Sequence, residues 1–328
     1  VPHPTVRPAR RIVCRIVCLG EAMIELAIDR TEPSQAAIGT AGDTLNTAVY
    51  LQRGLIAAGN RAEVAYATCM GTDAFSDRLF HLLEREGVDT SLVGRLPDRL
   101  PGLYAISTDE HGERSFSYWR ENSAARRLFQ PGTRPTLDEL DACDVLYLSA
   151  ITLAILPEPV RERLFAWIAD WRARDGHRFA FDSNFRPRLW PSLQAARQAT
   201  SAAWRLCDIA LPSLDDEQAL YGDPDETAVM QRLRDHGVRV GALKRGAAGP
   251  RCFQDHDAGR RFDPAERVVD STAAGDSFNG GYLAALLAGA DPGAALEAGH
   301  RCAAHVVGHR GAIVPRAGGV PSAHSNGS

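Results

Sequence analysis

Asp276 stands where a run of small residues turns into a helical pattern: Val269-Asp270-Ser271-Thr272-Ala273-Ala274-Gly275-Asp276-Ser277-Phe278-Asn279-Gly280-Gly281-Tyr282. The opening of a helix leaves backbone N–H groups unpaired and carries partial positive charge. Phosphate oxygens fit there when small side chains let the backbone approach. A carboxylate beside those oxygens is placed to take a proton from an acceptor hydroxyl during phosphoryl transfer. The same residue types also make a plain helix cap, because Asp and Ser are favoured at that position. Chemistry alone leaves the two readings level.

Three further constellations carry chemistry. In Gly39-Thr40-Ala41-Gly42-Asp43-Thr44-Leu45-Asn46, Gly42 admits a ligand closely, while Asp43 and Asn46 offer an acceptor and a donor at a helix start. Polyol hydroxyls need such mixed partners; an ordinary N-cap is the alternative. Arg120 follows Tyr118-Trp119, and Arg186 lies in Asp182-Ser183-Asn184-Phe185-Arg186-Pro187-Arg188. Guanidinium groups grip a carboxylate through two parallel charge-assisted hydrogen bonds, so two such loops at one end of a sheet point to an acidic ligand. Structural salt bridges compete with that reading and are the better one for an isolated arginine. Leu243-Lys244-Arg245-Gly246-Ala247-Ala248-Gly249 is a strand end, two cations and a glycine-rich turn, suited to polyphosphate though weak by itself. His81, His177, His236 and His256 have no ligand spacing, and Asp215-Asp216-Glu217 alone reads as a solvated helical turn.

The elements that must hold these groups alternate between apolar, β-branched runs and helical patterns, which predicts a mostly parallel sheet covered by helices. Strands are expected at Ile12–Leu19, Glu63–Thr68, Val145–Ser149, Arg178–Asp182, Asp208–Leu211 and Val238–Lys244. Helices are expected at Leu45–Ala57, Ser76–Glu86, Pro159–Asp175, Leu193–Ala203, Asp215–Tyr221, Ala228–His236, Asp276–Leu287 and Pro292–Val307. Gly102 to Arg120 breaks the alternation. It reads as a hairpin turning at Asp109-Glu110-His111-Gly112, an insertion of the kind that covers a ligand site, with an edge hairpin as the alternative.

Bulk properties bound what the chain does. Its 328 residues are 45% hydrophobic and 24% charged, a globular composition that fits two domains or one large α/β domain. A net charge of −4 gives no basic excess for nucleic acid. No run reaches the roughly 18 apolar residues of a membrane span, and Ile12–Leu19, interrupted by Arg15, makes a poor signal peptide. Seven cysteines at 14, 18, 69, 143, 207, 252 and 302 show neither zinc spacing nor an even count, so core filling in a reducing, cytoplasmic setting is expected.

The stretch DSTAAGDSFNGGY resembles the C-terminal signature of ribokinase-like, or PfkB, carbohydrate kinases, and the order of the other segments agrees over about residues 12 to 316. The resemblance implies a three-layer α/β/α fold with a mostly parallel central sheet and a small β lid. On it, residues 11–317 form one kinase domain with lid insertions near 25–40 and 96–122, between flexible tails 1–10 and 318–328. It implies Asp276 as catalytic base and Ala273, Ala274 and Gly275 as the anion hole, with Ala273 replacing a frequent Gly and making its amide less secure. Ala41 likewise replaces the first Gly of the sugar-binding motif around Gly42, Asp43 and Asn46.

Five segments are similar to 2-keto-3-deoxygluconate kinases: GDTLN, RLPGLY, YWREN, LSAITLAIL and DSNFRPRLW. That likeness implies substrate contacts from Tyr104, Tyr118, Arg120 and Arg186. It also implies ATP near Lys244, Arg245, Gly246 and Gly249, with His300 by the adenine. Ser213 and Asp216 take the two positions of the family's Asn-x-x-Glu, so Asp216 is expected to reach Mg²⁺ only through water. A monovalent cation and a homo-oligomer joined through the lid are further expectations. Fructose, ribose or another keto-deoxy sugar acid is the alternative substrate, and a non-catalytic sensor on the same scaffold the alternative function.

Overall fold

The structure, a computed structural model, describes residues 14–29, 31–32, 34–108, 114–254 and 260–316. The expected tails and the hairpin turn lie outside these residues. In chain order the strands are β1 (Arg15–Leu19), β2 (Met23–Ile28), β3 (Ala36–Ala41), β4 (Glu63–Met70), β5 (Val93–Arg95), β6 (Gly102–Thr108), β7 (Arg114–Trp119), β8 (Val145–Ser149), β9 (Arg178–Asp182), β10 (Ile209–Ala210), β11 (Val240–Leu243) and β12 (Arg251–Cys252). The α-helices are α1 (Asp43–Ala57), α2 (Ala74–Glu86), α3 (Ala150–Ile155), α4 (Glu158–Arg172), α5 (Leu193–Leu206), α6 (Leu214–Tyr221), α7 (Glu226–Asp235), α8 (Ala274–Leu287) and α9 (Pro292–Val307).

Eight strands form the main sheet in the order β12-β11-β10-β9-β8-β1-β4-β5, parallel except for β12. Side chains alternate across it, as the two-residue strand period requires. Ile16 and Cys18 of β1 face a core that includes Leu45, Leu79, Phe278 and Leu296, from α1, α2, α8 and α9. Val17 and Leu19 face the opposite core, which includes Leu153, Leu164, Ala196, Leu220 and Val229, from α3 to α7. Three layers follow, and each fully buried Leu or Ile contributes about 1.5–3 kcal/mol. All seven cysteines are free; Cys18 and Cys14 serve the first core as expected.

The boundaries follow local chemistry. The Asp73 side chain accepts from the Phe75 and Ser76 amides at the start of α2, and Gly87 ends that helix at φ 73°. The expected strands and helices are all present, with ends moved by a few residues. Helix α3 and strands β2, β3, β5 and β12 are additions. AITLAI of α3 is buried throughout and shows no amphipathic period to read.

The lid is larger than a hairpin. Strands β6 and β7 pair antiparallel as expected, and β2 and β3 join them in a separate sheet of order β3-β2-β6-β7. Its Met23, Ala41, Tyr104 and Ile106 pack with Ala312, and Ala273 borders the same cluster. The lid therefore reaches the N-terminal end of α8.

Candidate active site

The groups singled out in the sequence converge at the C-terminal ends of the parallel strands, where open α/β sheets form their ligand crevice. Helices α1 and α8 pack closely because Gly280 has no side chain; a Cβ there would lie 2.6 Å from that of Tyr50. This approach brings Asn46 to Asp276. The Asn46 amide donates to Asp276 Oδ2 at 2.9 Å, and the Thr47 hydroxyl donates to the Asp276 carbonyl at 3.2 Å.

Asp276 is not a cap. The N-cap of α8 is Ala273, which makes no side-chain cap bond, and Asp276 lies in the first turn. Burial, then the neighbouring Asp43 charge, pushes its carboxyl up to about 8 against the opposing Asn46 hydrogen bond; Asp182 adds to the rise and Lys244 opposes it. A carboxyl tuned that way suits a general base working near neutral pH.

The open amides at this helix differ by one from expectation. Ala274 N–H donates to the Ser271 carbonyl at 3.2 Å. The N–H groups of Ala273, Gly275 and Asp276 meet no protein acceptor among the described residues. Ala273 itself adopts φ 61° and ψ 15°, the left-handed region that glycine occupies without penalty. Ala273→Gly is therefore expected to stabilise the fold by about 1 kcal/mol, the relief of the left-handed strain less the added freedom of the unfolded chain. Chemical denaturation of both proteins measures it, and an unchanged or lower midpoint contradicts it.

Lys244, at the end of β11, donates to Asp182 Oδ1 at 2.8 Å and to Asn279 Oδ1 at 3.1 Å. A Cβ on Gly275 would lie 3.6 Å from its ammonium, so the cation sits beside the helix opening. Asn279 in turn donates to Asp182 Oδ2 at 2.7 Å and to the Tyr147 hydroxyl at 3.1 Å. Sequence reasoning missed Asp182 and Asn279 as site residues. Their signals were a charge ending the apolar run RFAFD and an amide three residues beyond Asp276, on the same helix face.

Asp43 opens α1 just after its N-cap, Gly42, which lies at a φ of 138°. Its carboxylate accepts from the Ser149 hydroxyl and, at 3.0 Å, from the Asn184 amide, and burial raises its pKa. Tyr104 pairs in register with Tyr118 across β6 and β7, their rings 5.7 Å apart, and its hydroxyl donates to Glu25. Arg120 is buried and ion-paired with Glu21, a residue not foreseen in the sequence. Arg186 is half-exposed, its Nη1 3.6 Å from Asp216. Both arginines thus make the salt bridges of the competing reading, yet both stand at the site: Asp43 feels the Arg120 charge, and Asp216 those of Arg186, Asp182 and Lys244.

The nucleotide-side residues divide. Ser213 bridges Lys244 through the backbone and donates its own N–H to the Ser183 hydroxyl at 2.8 Å. Burial raises the Asp216 pKa, and the Ser183 hydroxyl lies 3.4 Å from its carboxylate. Arg245, expected beside Lys244, is drawn the other way, to Glu226 at 2.6 Å and the Gly249 carbonyl at 2.9 Å. Gly246 and Gly249 take φ 55° and 77° around the short turn. His300 stacks obliquely on Phe262 and bonds the Asp263 carbonyl at 2.6 Å, beside a cleft of about 340 Å³ lined by Arg245, Pro250, Arg260 and Phe262. Among the described residues no three His, Cys, Asp or Glu side chains converge to cage a metal.

Known proteins share this arrangement of sequence and fold. Residues 14–317 match the pfkB family carbohydrate kinase description. The 2-dehydro-3-deoxygluconokinase of Escherichia coli K12 is 41% identical over 309 residues, 92% of this chain and 97% of that protein. That of Dickeya dadantii is 41% identical over 307 residues, 92% and 96% of the two chains. The structure of fructokinase with bound ATP from Xylella fastidiosa superposes with a TM-score of 0.74 at 25% identity, covering 91% of this chain and 93% of that one. The match spans residues 14–317, and this chain belongs to the pfkB family of carbohydrate kinases.

Proposed function

We propose that this kinase transfers the terminal phosphoryl group of ATP to the C6 hydroxyl of 2-keto-3-deoxygluconate, giving ADP and 2-keto-3-deoxy-6-phosphogluconate. The observation that carries the reading is the Asp276 carboxylate in the first turn of α8, beside open N–H groups and within the charge field of Asp43, Asp182 and Lys244. Asp276 takes the hydroxyl proton as the new P–O bond forms. The Gly275 and Asp276 amides and the Lys244 ammonium meet negative charge growing on the transferred group. Asn46 holds the base, Asp43 and Asn46 meet sugar hydroxyls, and Tyr104 and Tyr118 form the lid wall above them.

Arg120 and Arg186 select the acid end of the sugar. A sensor reading does not account for a carboxyl tuned toward neutrality beside an opening for phosphate. The names of the 41%-identical relatives favour the same sugar acid.

The residues present fit Mg²⁺ held mostly by phosphates and water, with the Asp216 carboxylate on the nucleotide side reaching it through water. Bound there, the ion supplies neutralisation of phosphate charge. No helix of the described residues is long and apolar enough to cross a membrane. The free thiols fit a cytoplasmic enzyme. Exposed Ile38, Phe116, Tyr118 and Trp119 on the lid fit pairing between copies.

A coupled ADP-release assay over 2-keto-3-deoxygluconate, its galactonate-derived epimer, fructose and ribose tests the reading. The gluconate-derived acid is expected to give the highest kcat/KM. Arg120→Ala is expected to lower that value about a hundredfold while sparing any slow neutral-sugar reaction. Preference for a neutral sugar, or equal loss on both kinds, overturns the substrate assignment.

A further inference from the structure

Four short links join the lid sheet to the core: residues 20–22 between β1 and β2, Gly42 between β3 and α1, the entry to β6 at Gly102, and Arg120 after β7. One residue of the first link, Glu21, lies against the other three. Its carbonyl oxygen would be 2.3 Å from a Cβ on Gly42, and its Oε1 2.5 Å from a Cβ on Gly102. Its Oε2 accepts from Arg120 Nη2. No side chain other than hydrogen fits at Gly42 or Gly102 while Glu21 keeps this place.

Glu21 is 1% exposed and Arg120 8%, so both charges are out of water. The pair is not fully satisfied: Glu21 Oε1 and Arg120 Nε are buried with no hydrogen-bond partner. Such a pair is often no more stable than apolar residues of similar volume, so stability alone does not account for it. Asp43 lies within the electrostatic reach of Arg120 and is already bound by Ser149 and Asn184. A guanidinium released from Glu21 is free to turn toward that carboxylate, whose charge already feels it, and the two together would close the sugar site.

We propose that Glu21 is a positioning residue: it ties the four lid links together and holds Arg120 away from Asp43, so that the acid-binding and hydroxyl-binding groups stay separate. The proposal rests on Arg120 and Asp43 belonging to the sugar site. It acts on substrate affinity rather than on the phosphoryl step, because neither Glu21 oxygen contacts Asp276 or Lys244.

The test is a double-mutant cycle on the intact enzyme with Glu21→Gln, Arg120→Gln and the pair, measured with 2-keto-3-deoxygluconate and ATP. Glu21→Gln is expected to raise the sugar KM about tenfold with kcat within about threefold and the ATP KM unchanged. In the Arg120→Gln background the same change is expected to alter the sugar KM by less than about twofold, because Glu21 then has nothing to position. Additive effects on KM, an unaltered sugar KM, or a loss confined to kcat overturns the proposal. If the single variant does not fold, Glu21→Asp, which keeps the charge but is one methylene too short, takes its place in the cycle under the same criteria. An Arg120→Gln variant with normal sugar KM instead overturns the sugar-site reading, whatever Glu21 does.

Discussion

Asp276→Asn is expected to lower turnover by about a hundred- to ten-thousandfold while the sugar KM stays within a few-fold. The amide has the same shape and still accepts the Asn46 hydrogen bond, seen at 2.9 Å, so the seat of the side chain is preserved. What disappears is the capacity to take a proton. The pH dependence separates this from a steric effect. With the folded carboxyl raised to about 8 by burial and by Asp43, the base is mostly protonated below that pH and ionises as pH rises through it. The kcat/KM of the parent should therefore climb with pH up to about 8 and level off, since the free enzyme's base governs this ratio. The variant should show no such limb. Steady-state rates from pH 5.5 to about 9.5 read both outcomes. Turnover within a few-fold of the parent, or an unchanged limb in the variant, removes Asp276 from the role of base.

Lys244→Met should damage both stability and catalysis, and the two losses can be separated. Asp182 is 1% exposed and takes its charge-assisted hydrogen bond from Lys244 at 2.8 Å. Removing one partner of a buried pair leaves the other charge uncompensated, at a cost of about 3–5 kcal/mol. Chemical denaturation should show a loss of that size. Adding Asp182→Asn removes the stranded charge, and most of the stability is expected to return. Turnover should not return with it. The ammonium beside Gly275 is lost in both variants, and a missing electrostatic donor of this kind costs about a hundredfold or more in kcat. Recovery of full activity in the double variant would assign Lys244 a structural role only.

The large effects cluster because the site is built from few elements meeting at one edge of the sheet. Helices α1 and α8 supply Asp43, Asn46, Asp276 and Asn279; strand ends supply Ser149, Asp182 and Lys244. Burial is shared: Asp43 and Asp182 raise the pKa of Asp276 and Asp182 that of Asp43, while Lys244 opposes the rise at Asp276 and Arg120 at Asp43. Closeness of the lid matters for the same reason. Tyr104, packed with Met23 and Ala41 in a cluster that Ala273 borders, brings the lid against the opening of α8.

Much of this was written in the sequence. The run from Asp270 to Tyr282 announces a small-residue helix opening with a carboxylate in it, because such an opening is a local property of the backbone. The apolar run of Arg178–Asp182 and the helical pattern of Pro292–Val307 matched their bounds directly. The capping alternative for Asp276 could not be removed locally, since a cap and a base use the same residue. Only its partner decides, and Asn46 is 230 positions away. The same holds for Lys244 with Asp182, 62 apart, and for Arg120 with Glu21, 99 apart. Arg245 reads as a phosphate ligand from its turn alone, and its ion pair with Glu226 joins positions 19 apart.

The sequence by itself determined the class of fold and the family and singled out Asp276 as the candidate base, because periodicity, helix openings and a long motif are carried by neighbouring residues. Tertiary structure alone decided which charges face one another, which amides remain open and how β2 and β3, from the insertion expected near 25–40, pair into the lid sheet. Those facts depend on strand order and helix packing, which bring together residues that no local pattern relates.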